Sequence, residues 1–360
     1  MKFCFWQNIV SIHQAPFLEA LAKKHEVVLM VEEQLIASRA KEGWNVPEIA
    51  GVRIYEMPSG KELERAFSDK NVHHIFSGIN GFPGVYSAFL ESMRHNVSMS
   101  IIAEPFNYCG IKGFLRRLKY RRLFKLHGDK ISALFPTGKM GVSCYRRCGF
   151  PVEKIHQWGY FTSSGDFLTR WPSSPNRLRW LFVGGLIERK NILSFLKTLY
   201  PRIGQLDEFA IVGTGHLMNK IQDLAKSTAN IRILGSVDNR SIGKVISQYD
   251  LLILPSLFDG WGAVVNEALT AGTRVLCSDR CGAAVLIDDA GVRGRVFPLD
   301  KMEQAITEEL QREPLNIPQR REIAEWAHSH ISGEVAADYF ASCFTGSENK
   351  PVAPWLKTTI

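Results

Sequence analysis

The residues best suited to chemistry stand in one run, Pro255-Ser256-Leu257-Phe258-Asp259-Gly260-Trp261-Gly262-Ala263-Val264-Val265-Asn266-Glu267-Ala268-Leu269. Two carboxylates, Asp259 and Glu267, flank a glycine-rich turn, and an apolar helix-forming stretch follows. Gly260 and Gly262 permit close backbone approach. A helix opening at Ala263 turns its free amides and the positive end of its dipole toward that turn, which favours an anion, most naturally a phosphate. Asp259 lies in the loop above this point, and Glu267 is about five residues into the helix, roughly 7.5 Å further down. Acids at two depths beside one anion site suit hydroxyl-rich groups on either side of a phosphate. A sugar and a ribose fit that demand.

Three further runs carry candidates. Leu181-Phe182-Val183-Gly184-Gly185-Leu186-Ile187-Glu188-Arg189-Lys190-Asn191 reads as a strand running into a glycine turn with two adjacent cations. Ile211-Val212-Gly213-Thr214-Gly215 ends in a Gly-x-Gly turn, without the third glycine of a dinucleotide fingerprint. Leu234-Gly235-Ser236-Val237 is another strand end. No Asp-x-Asp pair occurs, so positive side chains and helix amides, rather than a bridging metal, are expected to neutralise a diphosphate. Cys144-x3-Cys148 and Cys277-x3-Cys281 have no His or Cys partners at zinc spacing and read as core or surface thiols.

The elements that position these runs follow a regular beat. Phe3–Val10, Val27–Val31, His74–Phe76, Ser98–Ala103 and Ala133–Phe135 read as buried strands, with helices at Pro16–Lys24 and Tyr86–Met93. Tyr160–Asn176 has linker composition. A second series begins at Leu178: strands at Arg179–Val183, Glu208–Val212, Ile231–Leu234, Leu251–Leu254 and Arg274–Cys277 alternate with helices at Ile192–Tyr200, Leu217–Ala225, Ile242–Gln248 and Ala263–Leu269. Strands alternating with short helices imply parallel sheets covered on both faces. The run at Pro255 then sits at the carboxyl end of a strand, where open α/β sheets bind ligands. The acidic region 301–344 reads as helical, with a break at Gly333 before a last helix, Val335–Phe344. The expected architecture is α/β, two doubly wound Rossmann-like domains facing a central cleft.

Taken in order, these blocks resemble the retaining GT-B glycosyltransferases of family 4 (glycosyl transferases group 1). Acid-x7-acid within Pro-Ser-Leu-x-acid-Gly-aromatic-Gly and Asn-Glu-Ala looks like the family signature. Gly184-Gly185 with Glu188-Arg189-Lys190-Asn191 is similar to its Val-Gly-Arg-Leu…Glu-Lys-Asn segment, and Asp250–Pro255 to the strand introducing the acids. The resemblance covers about residues 178–300 closely and the N-terminal half loosely. It implies a donor-binding domain over 166–332 and an acceptor-side domain over 1–165, the latter completed by the chain from about 333 to 360.

By that resemblance, Glu267 binds the donor's ribose hydroxyls, and Asp259 with the backbone of Gly260, Trp261 and Gly262 holds the donor sugar. Ala263 and Val264 amides meet the diphosphate, Gly184, Gly185, Gly213 and Gly215 belong to the donor-binding turns, and Val237 meets the base through its backbone. Lys190 and Arg189 neutralise the leaving diphosphate. His13 and Gln14, in the first strand-loop-helix, face the acceptor, and Glu104 occupies a catalytic-region position where relatives often place His. Two departures stand out: Asp259 is one methylene shorter than the usual Glu, and Gly185 replaces a usual Arg. The implied activity moves a sugar from a nucleotide-diphosphate donor to a saccharide or lipid-linked glycan acceptor with retention of configuration. Bacterial surface polysaccharide or lipopolysaccharide synthesis is the expected setting, without cofactor or metal. A sugar-nucleotide epimerase on the same fold and a non-catalytic nucleotide- or glycan-binding module are the alternatives.

Charge adds one more feature. The 360 residues carry 44 Lys+Arg against 36 Asp+Glu, a net +8, but residues 101–150 alone hold 11 basic and 2 acidic groups. The remainder holds 33 against 34 and is nearly neutral. Seven cations, Lys112, Arg116, Arg117, Lys119, Arg121, Arg122 and Lys125, lie in one stretch without an acid. On a helical wheel Ile111, Phe114, Leu115 and Leu118 share a face, from which Tyr120, Leu123 and Phe124 fall away. A solvated helix folded onto the domain and an anionic membrane-surface patch are both consistent with this; no nucleic-acid motif accompanies it. The longest apolar runs stop far short of the roughly 20 residues of a membrane span. Seven scattered cysteines argue against a secreted disulfide framework. A cytoplasmic protein, peripheral on the inner face of the cell membrane, is the expectation.

Overall fold

The computed structural model describes residues 1–34, 46–108, 110–163, 171, 177–287, 291–345 and 350–356. The chain forms two compact units, one running to Phe161 and resumed from Ser332, the other Thr162–Ile331. The boundary expected at 165/166 falls outside the described residues.

In the first unit six strands, β1 (Lys2–Gln7), β2 (Glu26–Val31), β3 (Val52–Glu56), β4 (Val72–Ser77), β5 (Met99–Ala103) and β6 (Ile131–Pro136), form one parallel sheet in the order β3-β2-β1-β4-β5-β6. The second unit repeats this order with β7 (Arg179–Val183), β8 (Glu208–Val212), β9 (Ile231–Gly235), β10 (Leu251–Leu254), β11 (Arg274–Ser278) and β12 (Gly294–Phe297), arranged β12-β11-β10-β7-β8-β9. Strand order therefore reverses between β1 and β4 and again between β7 and β10. The central strands are buried on both faces, which is why they read as unbroken apolar runs such as Leu251-Leu252-Ile253-Leu254.

Several elements went unseen in the sequence, among them β3, β12 and the Gly60–Ala66 and Gly138–Arg147 helices. β3, Val-Arg-Ile-Tyr-Glu, is an edge strand and largely exposed, so it lacks a buried-strand signature. The Gly138–Arg147 helix buries Gly138, Gly141, Cys144 and Tyr145, a face too small-sided to stand out as an apolar stripe. The last helix, Gly333–Ser342, opens at a Ser332 cap whose hydroxyl accepts from the Val335 amide. It belongs to the first unit, against the Ala15–Ala22 helix. A Cβ on Gly333 would stand 2.2 Å from the Pro16 carbonyl oxygen, so only glycine lets the two helices approach. Phe340 then packs at 5.0–5.8 Å from the rings of Phe5, Phe17, Phe135 and Trp158.

At the amino end of β10, Asp250 is fully buried and pairs at 3.0 Å with Arg320 of the Ile317–Ile331 helix. The other Asp250 oxygen accepts from the Arg179 amide, and Arg320 also donates to the Tyr249 carbonyl. Asp250 thus staples the second unit at the amino edge of its sheet.

Candidate active site

β7, β8, β9 and β10 all point one way, so Gly184, Gly213, Gly235 and Pro255 line one edge of the second sheet. That edge, at the reversal between β10 and β7, is where such sheets take ligands. The turns there pack on each other. The Gly184 amide donates to Val212 at 3.0 Å, Gly213 to Gly235 at 2.8 Å, and Leu186 to Thr214 at 2.8 Å. Gly213 has φ +136, and a Cβ on it would stand 2.0 Å from the Gly184 oxygen; one on Gly215 would stand 2.4 Å from that of Leu186. Packing of turn on turn is therefore sufficient reason for both glycines.

Beyond Gly185, a short 3₁₀ turn, Glu188–Lys190, ends at Asn191 in the left-handed region (φ 57). Lys190 Nζ lies 2.5 Å from Asp259 Oδ2, and both side chains are largely buried. Arg189 is half exposed; its guanidinium donates to the Phe258 carbonyl at 2.8 Å and lies 3.6 Å from the same Asp259 oxygen. The Leu257 amide in turn donates to the Arg189 carbonyl at 2.8 Å. The two turns are thus laced by backbone and side chain, with two cations converging on one carboxylate and a surplus of one positive charge.

A third loop, which gave no signal in the sequence, clamps this carboxylate from behind. The Asp259 amide donates to Arg280 at 3.0 Å, and its carbonyl accepts from Gly282 at 3.1 Å. A Cβ on Gly282 would meet the Gly260 oxygen at 2.2 Å. Gly262, at φ +92, leaves its Cβ-less side facing Leu254 Cδ2, where a Cβ would come to 2.7 Å.

The Trp261 ring is buried and its indole nitrogen donates to Asn266 Oδ1 at 2.7 Å, so the side chain anchors the turn to the helix. The helix starts one residue later than expected, over Val264–Thr270, because Ala263 takes the cap position. Glu267 consequently stands in the first turn, half-buried, with its amide donating to Ala263 at 3.3 Å. Val237, just past β9, is half-buried.

The first unit gathers the other candidates. His13 stacks on Tyr160, ring centroids 5.4 Å apart and planes 8° from parallel. The Tyr160 hydroxyl donates to the exposed Glu104 carboxylate. Tyr145 fixes the Glu104 backbone by donating to its carbonyl at 3.0 Å. Gln14 is buried at the start of the Ala15–Ala22 helix, its Oε1 without a hydrogen-bond partner. His13, Tyr160 and Glu104 follow β1, β6 and β5 respectively, so they meet at the carboxyl edge of the first sheet. Tyr160 is the member that sequence reading missed.

The basic segment forms one helix, Gly110–His127. Lys112, Arg116, Lys119, Arg121, Arg122 and Lys125 are exposed and Arg117 is half-buried, while Phe124 belongs to the core. Among the described residues, no group of three or more His, Cys, Asp or Glu is placed to hold a metal ion. No described helix is long and apolar enough to cross a membrane. The described cysteines are free thiols; burial pushes Cys4 and Cys281 up to about 12 and Cys148 to about 11.

Comparison with known proteins adds to this geometry. Residues 177–312 match the family model described as glycosyl transferases group 1. Anabaena HepE, solved in complex with UDP-glucose, superposes with a TM-score of 0.67 over 96% of this chain and 100% of that one, at 13% identity. The fold is GT-B. Curated relatives also match by sequence. Alpha-D-kanosaminyltransferase of Streptomyces kanamyceticus is 26% identical over 168 residues, 42% of this chain and 43% of that protein. O-antigen chain mannosyltransferase B of Escherichia coli is 23% identical over 184 residues, 46% and 48% respectively. The matched stretch spans less than half the length of these curated relatives.

Proposed function

We propose that this chain is a retaining glycosyltransferase of family 4, moving a sugar from a nucleotide-diphosphate donor to a saccharide or lipid-linked glycan acceptor without a metal. The observation that carries the reading is the convergence of Lys190 and Arg189 on the Asp259 loop, beside the start of the Val264–Thr270 helix. In this reading the diphosphate competes with Asp259 for the two cations and lies against the Ala263 and Val264 amides. Both act where charge develops as the diphosphate departs, in a partly buried setting where electrostatics count most. Asp259, released from Lys190, orients the donor sugar and stabilises positive character at its anomeric carbon. Glu267 holds the ribose. The anomeric carbon–phosphate oxygen bond breaks as the acceptor oxygen bonds on the same face, and a leaving phosphate oxygen takes the acceptor's proton. His13, Gln14 and Glu104 receive the acceptor. The mannosyltransferase relative supports surface polysaccharide or lipopolysaccharide synthesis as the setting.

A thermal-shift and product screen across UDP-, GDP- and ADP-sugars tests the donor assignment, followed by anomeric-proton NMR of the product and repetition in EDTA. A donor that stabilises the protein and yields a retained product in EDTA supports the reading. Inversion, or activity that EDTA removes and a divalent ion restores, overturns the corresponding part of it.

A further inference from the structure

The Gly110–His127 helix meets its own unit with one face only. Tyr120 donates to Asn80 at 3.1 Å, and the Phe124 ring lies 4.7 Å from that of Phe150. Gly113 lets the lead-in to the helix fold back on its first turn, since a Cβ there would stand 2.1 Å from the Tyr108 carbonyl carbon. Ile111, Phe114, Leu115, Leu118 and Leu126 turn the other way; each is at least 47% exposed and Ile111 is 81% exposed. Single exposed apolar residues need no account, but five on one helix face do. At 100° per residue the five occupy an arc of about 120°. Arg122 and Lys125 fall within that arc and Lys112, Lys119 and Arg121 border it, all exposed. No acid occurs in the helix.

We infer that this face docks on an anionic lipid bilayer, its apolar ridge seated at the boundary of headgroups and acyl chains. Charge decides the occupant. A ridge alone would suit any hydrophobic partner, but five cations without an acid call for an extended anionic surface. Their long stems can lie along the ridge while the heads stay among the phosphates. Nucleic acid would use the cations and leave the ridge in water. Four of the five apolar residues lie in the first half of the helix, the end nearest Glu104 and the carboxyl edge of the first sheet. The bilayer therefore meets this unit beside the His13–Tyr160–Glu104 group. The inference rests on the helix and is independent of the proposed reaction.

Flotation of the full chain with vesicles of phosphatidylcholine alone, or with about 30 mol% phosphatidylglycerol, tests it. The wild type floats with the anionic vesicles, and raising salt to about 1 M weakens binding. Arg121→Gln/Arg122→Gln/Lys125→Gln lowers that binding about tenfold or more and flattens its salt dependence. Ile111→Ser/Leu115→Ser/Leu118→Ser weakens it at every salt concentration. All six positions are exposed, and unchanged circular dichroism and melting temperature confirm that the variants fold. Failure of the wild type to float, equal flotation of both variants with wild type, or binding of a duplex oligonucleotide in preference to vesicles overturns the inference.

Discussion

Lys190 and Asp259 join the turn after β7 to the turn after β10 through a 2.5 Å ion pair between two largely buried side chains. In the proposed reaction this contact is exchanged for one between Lys190 and the diphosphate. Lys190→Ala is expected to lower kcat/KM for transfer by about 10²–10³, as loss of one charge-stabilising donor does elsewhere. Steady-state kinetics check this, and an unchanged kcat/KM would remove Lys190 from the mechanism.

Glu267→Ala removes hydrogen bonds from a charged acceptor, each worth about 1.5–3 kcal/mol. Donor KM should rise by about tenfold or more, with acceptor KM unmoved. Isothermal titration with the nucleotide diphosphate alone provides a second reading, since the ribose is present without the sugar.

Tyr160→Phe breaks the hydrogen bond to Glu104 while keeping the ring that stacks on His13. Acceptor KM should rise, and donor affinity should not change. An effect confined to donor affinity would separate this group from the acceptor.

Much of the second unit was legible in the sequence, because its strands are short apolar runs punctuated by glycine and proline. β7, β8 and β10 carry the expected bounds. The His13–Tyr160–Glu104 group was not legible as a group: its members lie 56 residues or more apart, and only the order of β1, β5 and β6 brings them together. The anchoring of Trp261 was not legible: nothing in the run itself shows that Asn266, one turn on, holds its indole nitrogen. The basic helix was half legible: the wheel separated its two faces, but the contacts of Tyr120 with Asn80 and of Phe124 with Phe150 settle which one turns inward.

Stability should hinge on the buried Asp250–Arg320 pair. Arg320→Ala takes from the buried Asp250 carboxylate its ion-pair partner and leaves it the Arg179 and Leu315 amides as hydrogen-bond donors among the described residues, at a cost of about 3–5 kcal/mol. Urea unfolding of the variant measures it, and a loss below about 1 kcal/mol would show that water reaches Asp250.

Acid should weaken the first unit in a defined window. Burial pushes His73 down to about 4, His74 to about 3 and His156 to about 4, from an ordinary 6.5. The stability these neutral rings contribute is complete above pH 6.5. It is lost as pH falls toward 4, where the unfolded chain takes up protons that the folded one refuses. Urea midpoints at about pH 7.5 and about pH 5 test this, and a flat profile across that range would contradict it.

The return of the chain at Ser332 has a consequence for biosynthesis. Phe340 fills the ring cluster of the first sheet, yet it is translated after the whole of the second unit. On the ribosome, Thr162–Ile331 can therefore reach its native state while the residues made first still lack a wall. The oldest part of the chain is the last to be finished, and a stop codon near 332 would injure the amino-terminal unit more than the one it follows.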